Sequence, residues 1–176
     1  MCATTNCGDE LDGGRELVKI REMRDVEIVE IAKIAGDEIF GELSLEEMED
    51  FLKKSGEYPY LQHFVAEENG TIVGFISWSF WDRWEKDVVL EILLLAVKRE
   101  FQGKGIGREL IEQSFRRVKA YWREQGLNIV MFQTETDEAN KNAQRFYEEV
   151  LKPSQKFLVP NVWGPNGGII FYFKKL

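Results

Sequence analysis

The stretch from Val88 to Gln125 constrains this chain more than any other. It opens with VVLEILLLAV, a β-branched and leucine-rich run in which Glu91 is the only charge. Such a run suits a strand buried on both faces. It closes with a segment in which Leu110, Ile111, Ser114, Phe115, Val118 and Trp122 recur at three- and four-residue steps, the mark of one apolar helix face. Gly126 stands where a left-handed cap ends a helix. Gln102-Gly103-Lys104-Gly105-Ile106-Gly107 is therefore a strand-to-helix turn made largely of glycine.

A turn of this kind favours an anion. Glycines let the backbone approach a ligand and aim successive N–H groups inward. The first N–H groups of the helix lack intrahelical partners, and the helix dipole adds partial positive charge. Lys104 and Arg108 add formal charge. A tight turn with solvated basic residues is the plainer alternative. Two phosphate motifs fail on spacing: no Gly-Lys-Ser/Thr triplet follows a first glycine at the Walker A interval, and a dinucleotide fingerprint from Gly103 would need glycine where Arg108 stands.

The pattern that fits is Q/R-x-x-G-x-G/A, met by Gln102, Gly105 and Gly107, followed later by N-x-x-A-x-x-F-Y at Asn140, Ala143, Phe146 and Tyr147. With the strand before the turn and the helix after it, this ordered set resembles the GNAT superfamily, the Gcn5-related N-acetyltransferases, from about Leu17 to Leu176. The resemblance implies an α/β (α+β) fold: a mixed, mostly antiparallel sheet of about seven strands flanked by about four helices. That sheet splays between the central strand and the next, and acetyl-CoA lies in the opening. It also implies that Leu95, Ala96 and Val97 meet the pantetheine arm through their main chain. Gln102, Gly103, Lys104, Gly105, Ile106, Gly107 and Arg108 would hold the pyrophosphate, with Asn140, Ala143 and Tyr147 beside the cofactor. A simple helix N-cap explains Asn140 equally well.

The rest of the chain reads as one domain, residues 15–176, after a flexible tail, 1–14. A first strand covers Glu16 to Arg21. Asp25 caps a helix bearing Ile28, Ile31, Ala32, Ala35 and Ile39, and Ser44 with Glu47 forms a capping box for a second. Asn69-Gly70 joins a hairpin of Phe64–Glu67 and Thr71–Trp81. Trp78, Phe80, Trp81 and Trp84 crowd its end as core and rim aromatics. Later strands are expected over Asn128–Thr134, Lys156–Val162 and Gly168–Lys174, with a helix from about Asn140 to Val150.

Composition narrows the function classes. A net charge of −8, from 23 basic and 31 acidic residues, argues against nucleic acid as a partner and suits a cationic acceptor. No run is long and apolar enough for a membrane span, and the first residues carry no secretion signal, so a cytoplasmic protein is expected. His63 reads as a satisfied strand residue, and with cysteines only at 2 and 7 no usual zinc site, hence no metal, is expected. Eight acids between Gly36 and Glu57 read either as solvated helix faces or, by the resemblance, as a carboxylate rim at the acceptor end. The final strands could carry a homodimer.

Acetyl transfer to an amine needs a base, because an alkyl ammonium with a pKa near about 10.4 is mostly protonated at neutral pH. Glu91, alone in an apolar strand, is the best candidate, since desolvation raises a carboxyl. Its place also matches the glutamate base of some histone-acetylating GNAT members. Glu135, Asp137 or a water chain remain rivals. Tyr147, matching the family tyrosine, would return a proton to the coenzyme A thiolate. No Ser or Cys stands where a covalent carrier is wanted, so direct transfer in a ternary complex is expected. The other class of reading is an acyl-CoA-binding regulator that kept the fold without turnover.

Overall fold

The computed structural model describes residues 18–39, 44–55, 58, 60–164 and 167–176. The expected tail, residues 1–14, lies outside them, as do Glu42 and Glu57 of the acidic stretch. Seven strands form one sheet in the order β1-β2-β3-β4-β5-β7-β6. They are β1 (Lys19–Glu22), β2 (Gln62–Glu68), β3 (Thr71–Trp84), β4 (Asp87–Val97), β5 (Asn128–Asp137), β6 (Gln155–Val159) and β7 (Ile169–Lys175). Only β4 and β5 are parallel, joined by the crossover helix α3 (Ile106–Glu124); every other pair is antiparallel. The remaining helices are α1 (Ile28–Glu38), α2 (Leu45–Ser55) and α4 (Lys141–Leu151).

The sheet is covered on both faces. On one side Trp78, Leu90, Ile92, Leu110, Val118 and Tyr172 join the core beneath α3 and α4. On the other, Ile31, Ala35, Met48, Leu52, Phe75, Leu94 and Ala96 form the core beneath α1 and α2. Trp78 anchors the first layer: its ring meets Phe132 edge-on at 5.5 Å, and its Nε1–H donates to Ser114 Oγ at 2.8 Å. The buried indole thus keeps its polar handle satisfied.

Strand alternation has one break that matters. Val88, Leu90 and Ile92 face the α3 side, yet Leu94 and Ala96 belong to the α1 side. The cause lies in the register with β3, where Trp78 pairs with Ile92 and Ser77 with Leu94, leaving Leu93 as an extra residue. This β-bulge exchanges the two faces of β4 part-way along its length.

Several local expectations need correction. Asp25 is not the cap of α1; it opens a 3-10 turn (Asp25–Glu27), and the start is held by Glu27, whose carboxylate accepts the Arg24 N–H at 2.8 Å. Ile39 follows α1 rather than belonging to it. β3 runs on to Trp84 rather than ending at Trp81; of the aromatics there, Trp78 is core, while Trp81 and Trp84 stand 49% and 80% exposed at the rim. Proline at 160 and the turn after it stop β6 at Val159, short of Val162. Ser44 and Glu47 do form the expected capping box, with Ser44 N–H donating to Glu47 at 2.9 Å and Glu47 N–H donating to Ser44 Oγ at 3.2 Å. No helix among the described residues is long and apolar enough to cross a membrane.

Glu27 ties α1 to the sheet. Only 6% exposed, it takes Arg21 at 2.7 Å and also pairs with Arg24, while Arg21 holds Glu67 at 2.6 Å. The Arg21 hydrogen bond is the leading cause that holds its carboxyl near about 2, below the usual 4.5. A depressed carboxyl stabilises the fold above its unfolded pKa and loses that contribution as pH falls through the folded one. The stability difference between wild type and Glu27→Gln, from urea unfolding, is therefore expected to be on the order of 3 kcal/mol at neutral pH. It should shrink between about pH 4.5 and 2.

Candidate active site

The parallel ladder of β4 and β5 runs from Asp87↔Asn128 to Glu91↔Gln133 and stops. Beyond it β4 stays with β3 as far as Val97, and β5 stays with β7 as far as Asp137. The two strands part because each is committed to its outer neighbour while the Leu93 bulge turns β4. At the point of parting, Thr134 Oγ1 donates to the Ile92 carbonyl at 3.1 Å, a side chain standing where a backbone rung would continue.

A cleft of about 870 Å³ opens there. Its lining includes Leu95, Ala96 and Val97 of β4, Gln102, Gly103, Gly105, Ile106, Gly107 and Arg108 of the turn, and Asn140, Ala143 and Tyr147 of α4. These are the residues expected at the cofactor, Lys104 excepted. Lys104 places its ammonium 4.5 Å from the Phe101 ring centre. Arg108 reaches Glu149 at 2.9 Å. Backbone amides and the head of α3 add to the anion-binding capacity of these two cations. Gly105 sits at φ 86°, a left-handed conformation that strains an L side chain. At Gly107 a Cβ would come within 3.0 Å of the Phe146 ring, so glycine lets α3 and α4 close around the cleft.

Arg99, Phe101, Asn142, Glu149 and Val150, which the sequence does not mark, also line the cleft, as do Phe146 of the later motif and Glu38, one of the eight acids. Glu38 accepts the Arg99 N–H at 3.0 Å and Gln102 Nε2 at 3.2 Å, and the same Gln102 amide donates to the Val97 carbonyl at 2.8 Å. One of the eight acids is thus part of the cleft wall. Glu49 and Asp50 instead pair along α2 with Lys53 and Lys54, as a solvated helix face does. Asn140 Oδ1 accepts the Ala143 N–H at 3.0 Å, an N-cap for α4. His63 Nδ1 shares a hydrogen bond with Ser77 Oγ at 2.7 Å, and burial lowers its pKa to about 4, so it is neutral.

Residues 26–151 match the model of the Acetyltransferase (GNAT) family. The chain belongs to that family. No curated protein sequence matches it. Several solved structures share the fold of this GNAT protein. An N-acetyltransferase from Staphylococcus aureus superposes with a TM-score of 0.65 at 17% identity, over 90% of this chain and 98% of its own. A Salmonella typhimurium protein assigned as an acetyltransferase, solved with its cofactor acetyl-CoA, gives 0.65 at 18% over 90% and 94%. The ribosomal-protein-S18-alanine N-acetyltransferase of Escherichia coli gives 0.62 at 15% over 90% and 94%.

Glu91 and Tyr147 of this GNAT domain reach the parting from opposite faces. Tyr147, buried beneath α4, packs 5.7 Å from the Tyr172 ring, and burial raises its hydroxyl above the usual value of 10. Its hydroxyl interacts with Thr134. Glu91 lies on the other face, outside the cleft lining, half-buried between Ser79 and Gln133. Gln133 Nε2 donates to Glu91 Oε1 at 2.5 Å. Burial first, and then the neighbouring Glu135 carboxylate, push Glu91 up to about 6. Since that second cause is a like charge, Glu135→Gln is expected to lower the Glu91 midpoint. A carboxyl titration followed by NMR on the purified protein checks this; an unchanged or raised midpoint contradicts it.

Proposed function

We propose that this GNAT protein is an acetyl-CoA-dependent N-acetyltransferase acting on a primary amine by direct transfer. What carries the reading is the geometry at the end of the β4–β5 ladder. A carboxyl held near neutral pKa and a protonated tyrosine flank one opening, which continues into a cleft ending at a helix head. The pantetheine arm lies along Leu95, Ala96 and Val97, and the pyrophosphate on the amides of residues 102–108. Asn140, its Oδ1 spent on the cap, offers its amide nitrogen to the cofactor.

The steps follow from the groups present. Glu91 accepts a proton from the acceptor ammonium, which frees the nitrogen lone pair. The nitrogen attacks the thioester carbonyl carbon, and a main-chain N–H near Leu95 stabilises the oxyanion. The C–S bond breaks, Tyr147 gives its proton to the departing thiolate, and the second proton that the nitrogen sheds on becoming an amide restores the tyrosine hydroxyl. Thr134, between the Tyr147 hydroxyl and the Ile92 carbonyl, fixes the tyrosine at the parting.

The acceptor we infer is cationic with an apolar part. Glu91, Gln133 and Glu135 share the sheet face turned away from α3, and in register beside them lie Phe173 and Phe171 of β7, followed by Phe157 of β6. Carboxylates beside aromatic rings suit an ammonium on a hydrophobic stem. A small amine and a peptide amine, the latter akin to the alanine named for the Escherichia coli neighbour, both meet this description.

Thiol release from acetyl-CoA over a panel of amines tests the reading. Turnover should appear with cationic primary amines. Tyr147→Phe should cut kcat by about a hundredfold, the scale of general acid catalysis, while leaving acetyl-CoA affinity nearly unchanged. Cofactor binding without turnover on any amine would instead favour an acyl-CoA-binding regulator.

A further inference from the structure

Gln133 is 0% exposed, yet a glutamine amide brings two donors and an acceptor that the core must satisfy. Its Nε2 is spent on Glu91 Oε1, and its Oε1 has no partner within the protein. Folds rarely bury an unpaired acceptor without a use for it. Gln133 also sits opposite Glu91 on the last rung before the strands part, where its backbone is fixed by β4 on one side and Phe173 of β7 on the other.

We propose that Gln133 is the positioning residue of the base: its amide grips Glu91 by Oε1 and leaves Oε2 to take the proton of the acceptor ammonium. The inference rests on the reading of Glu91 as that base. The balance is simple. The ammonium loses one proton and becomes a neutral amine; the Glu91 carboxylate gains it and becomes a carboxylic acid. Protonation at Oε2 leaves Oε1 as the carbonyl oxygen of the acid, still an acceptor, so the Gln133 N–H holds the same oxygen before and after the transfer.

The surroundings leave few competing influences on Glu91. Across the sheet it faces Ser79 of β3 and Gln133 of β5. The acid that acts on it among the described residues is Glu135, two positions along β5, with Asp137 bearing on Glu135 in turn. Gln133 opposes these upward influences, since an N–H donor favours the carboxylate.

The test is the pH dependence of kcat/KM, with acetyl-CoA and an amine the enzyme accepts, for wild type, Gln133→Met, Glu91→Gln and the double variant. Gln133→Met keeps the shape and removes the amide. Its acidic limb should move up by about one pH unit, so that activity falls roughly tenfold below the limb and returns towards wild type above it. KM for acetyl-CoA should stay within about twofold, since Gln133 is not among the residues that line the cleft. In the Glu91→Gln background, Gln133→Met should change nothing further. Should Gln133→Met fail to fold, Gln133→Asn, which keeps an amide too short to reach Glu91, should show the same upward shift. An unmoved limb, or an equal loss at every pH, overturns the positioning role while an inactive Glu91→Gln leaves the base standing. Wild-type activity in Glu91→Gln overturns both.

Discussion

The parting of two parallel strands is the constraint on which the rest of this structure depends. A parallel pair normally stays paired because every lost rung leaves buried backbone groups unmet. Here β4 and β5 share a ladder only to Glu91 and Gln133, and then each follows its outer neighbour. The Leu93 bulge turns β4 at that point, and Thr134 closes the apex by donating to the Ile92 carbonyl. What lies beyond is main chain with hydrogen-bonding capacity facing a cleft of about 870 Å³, a demand that an amide-bearing ligand can meet.

The same parting sorts the chemistry by face. Tyr147 and Thr134 belong to the side of α4, where burial keeps the phenol protonated. Glu91, Gln133 and Glu135 belong to the opposite side, where burial and a like charge lift a carboxyl to about 6. Two titratable groups pushed in useful directions on either side of one opening is the pattern expected of an acid and a base. Electrostatics at the far end of the cleft are different in kind. Lys104 and Arg108 meet Phe101 and Glu149 there, and the turn adds peptide dipoles at the head of α3.

Much of this was legible in the sequence, and the misses have physical reasons. The glycine turn, the crossover helix and the asparagine at the head of α4 are local signals, set by φ, helix dipole and capping, and they stand where expected. Strand ends were misjudged where tertiary pairing extends a strand past its local pattern, as at Trp84. The start of α1 departs from the Asp25 reading because Glu27 reaches back to the Arg24 N–H, and the ion pair from Arg21 on β1, a tertiary contact, fixes that carboxylate in place. The bulge at Leu93 is invisible in an unbroken apolar run, since its register is defined only by β3. Gln133 and Thr134 escaped for the same reason: NIVMFQT reads as an ordinary strand until its partner is known to leave. Glu38 was one of eight acids with no signal to separate it from helix-face charges.

The central claim is that the cleft continuing from this parting binds acetyl-CoA, and calorimetric titration tests it most directly. Acetyl-CoA is titrated into wild type and Gly105→Glu, with ATP and NAD as controls. Saturable binding of acetyl-CoA alone is expected. Marked weakening is expected in the variant, where a carboxylate on a strained left-handed residue would face the proposed pyrophosphate site. Absence of acetyl-CoA binding, or equal binding of ATP or NAD, would contradict it.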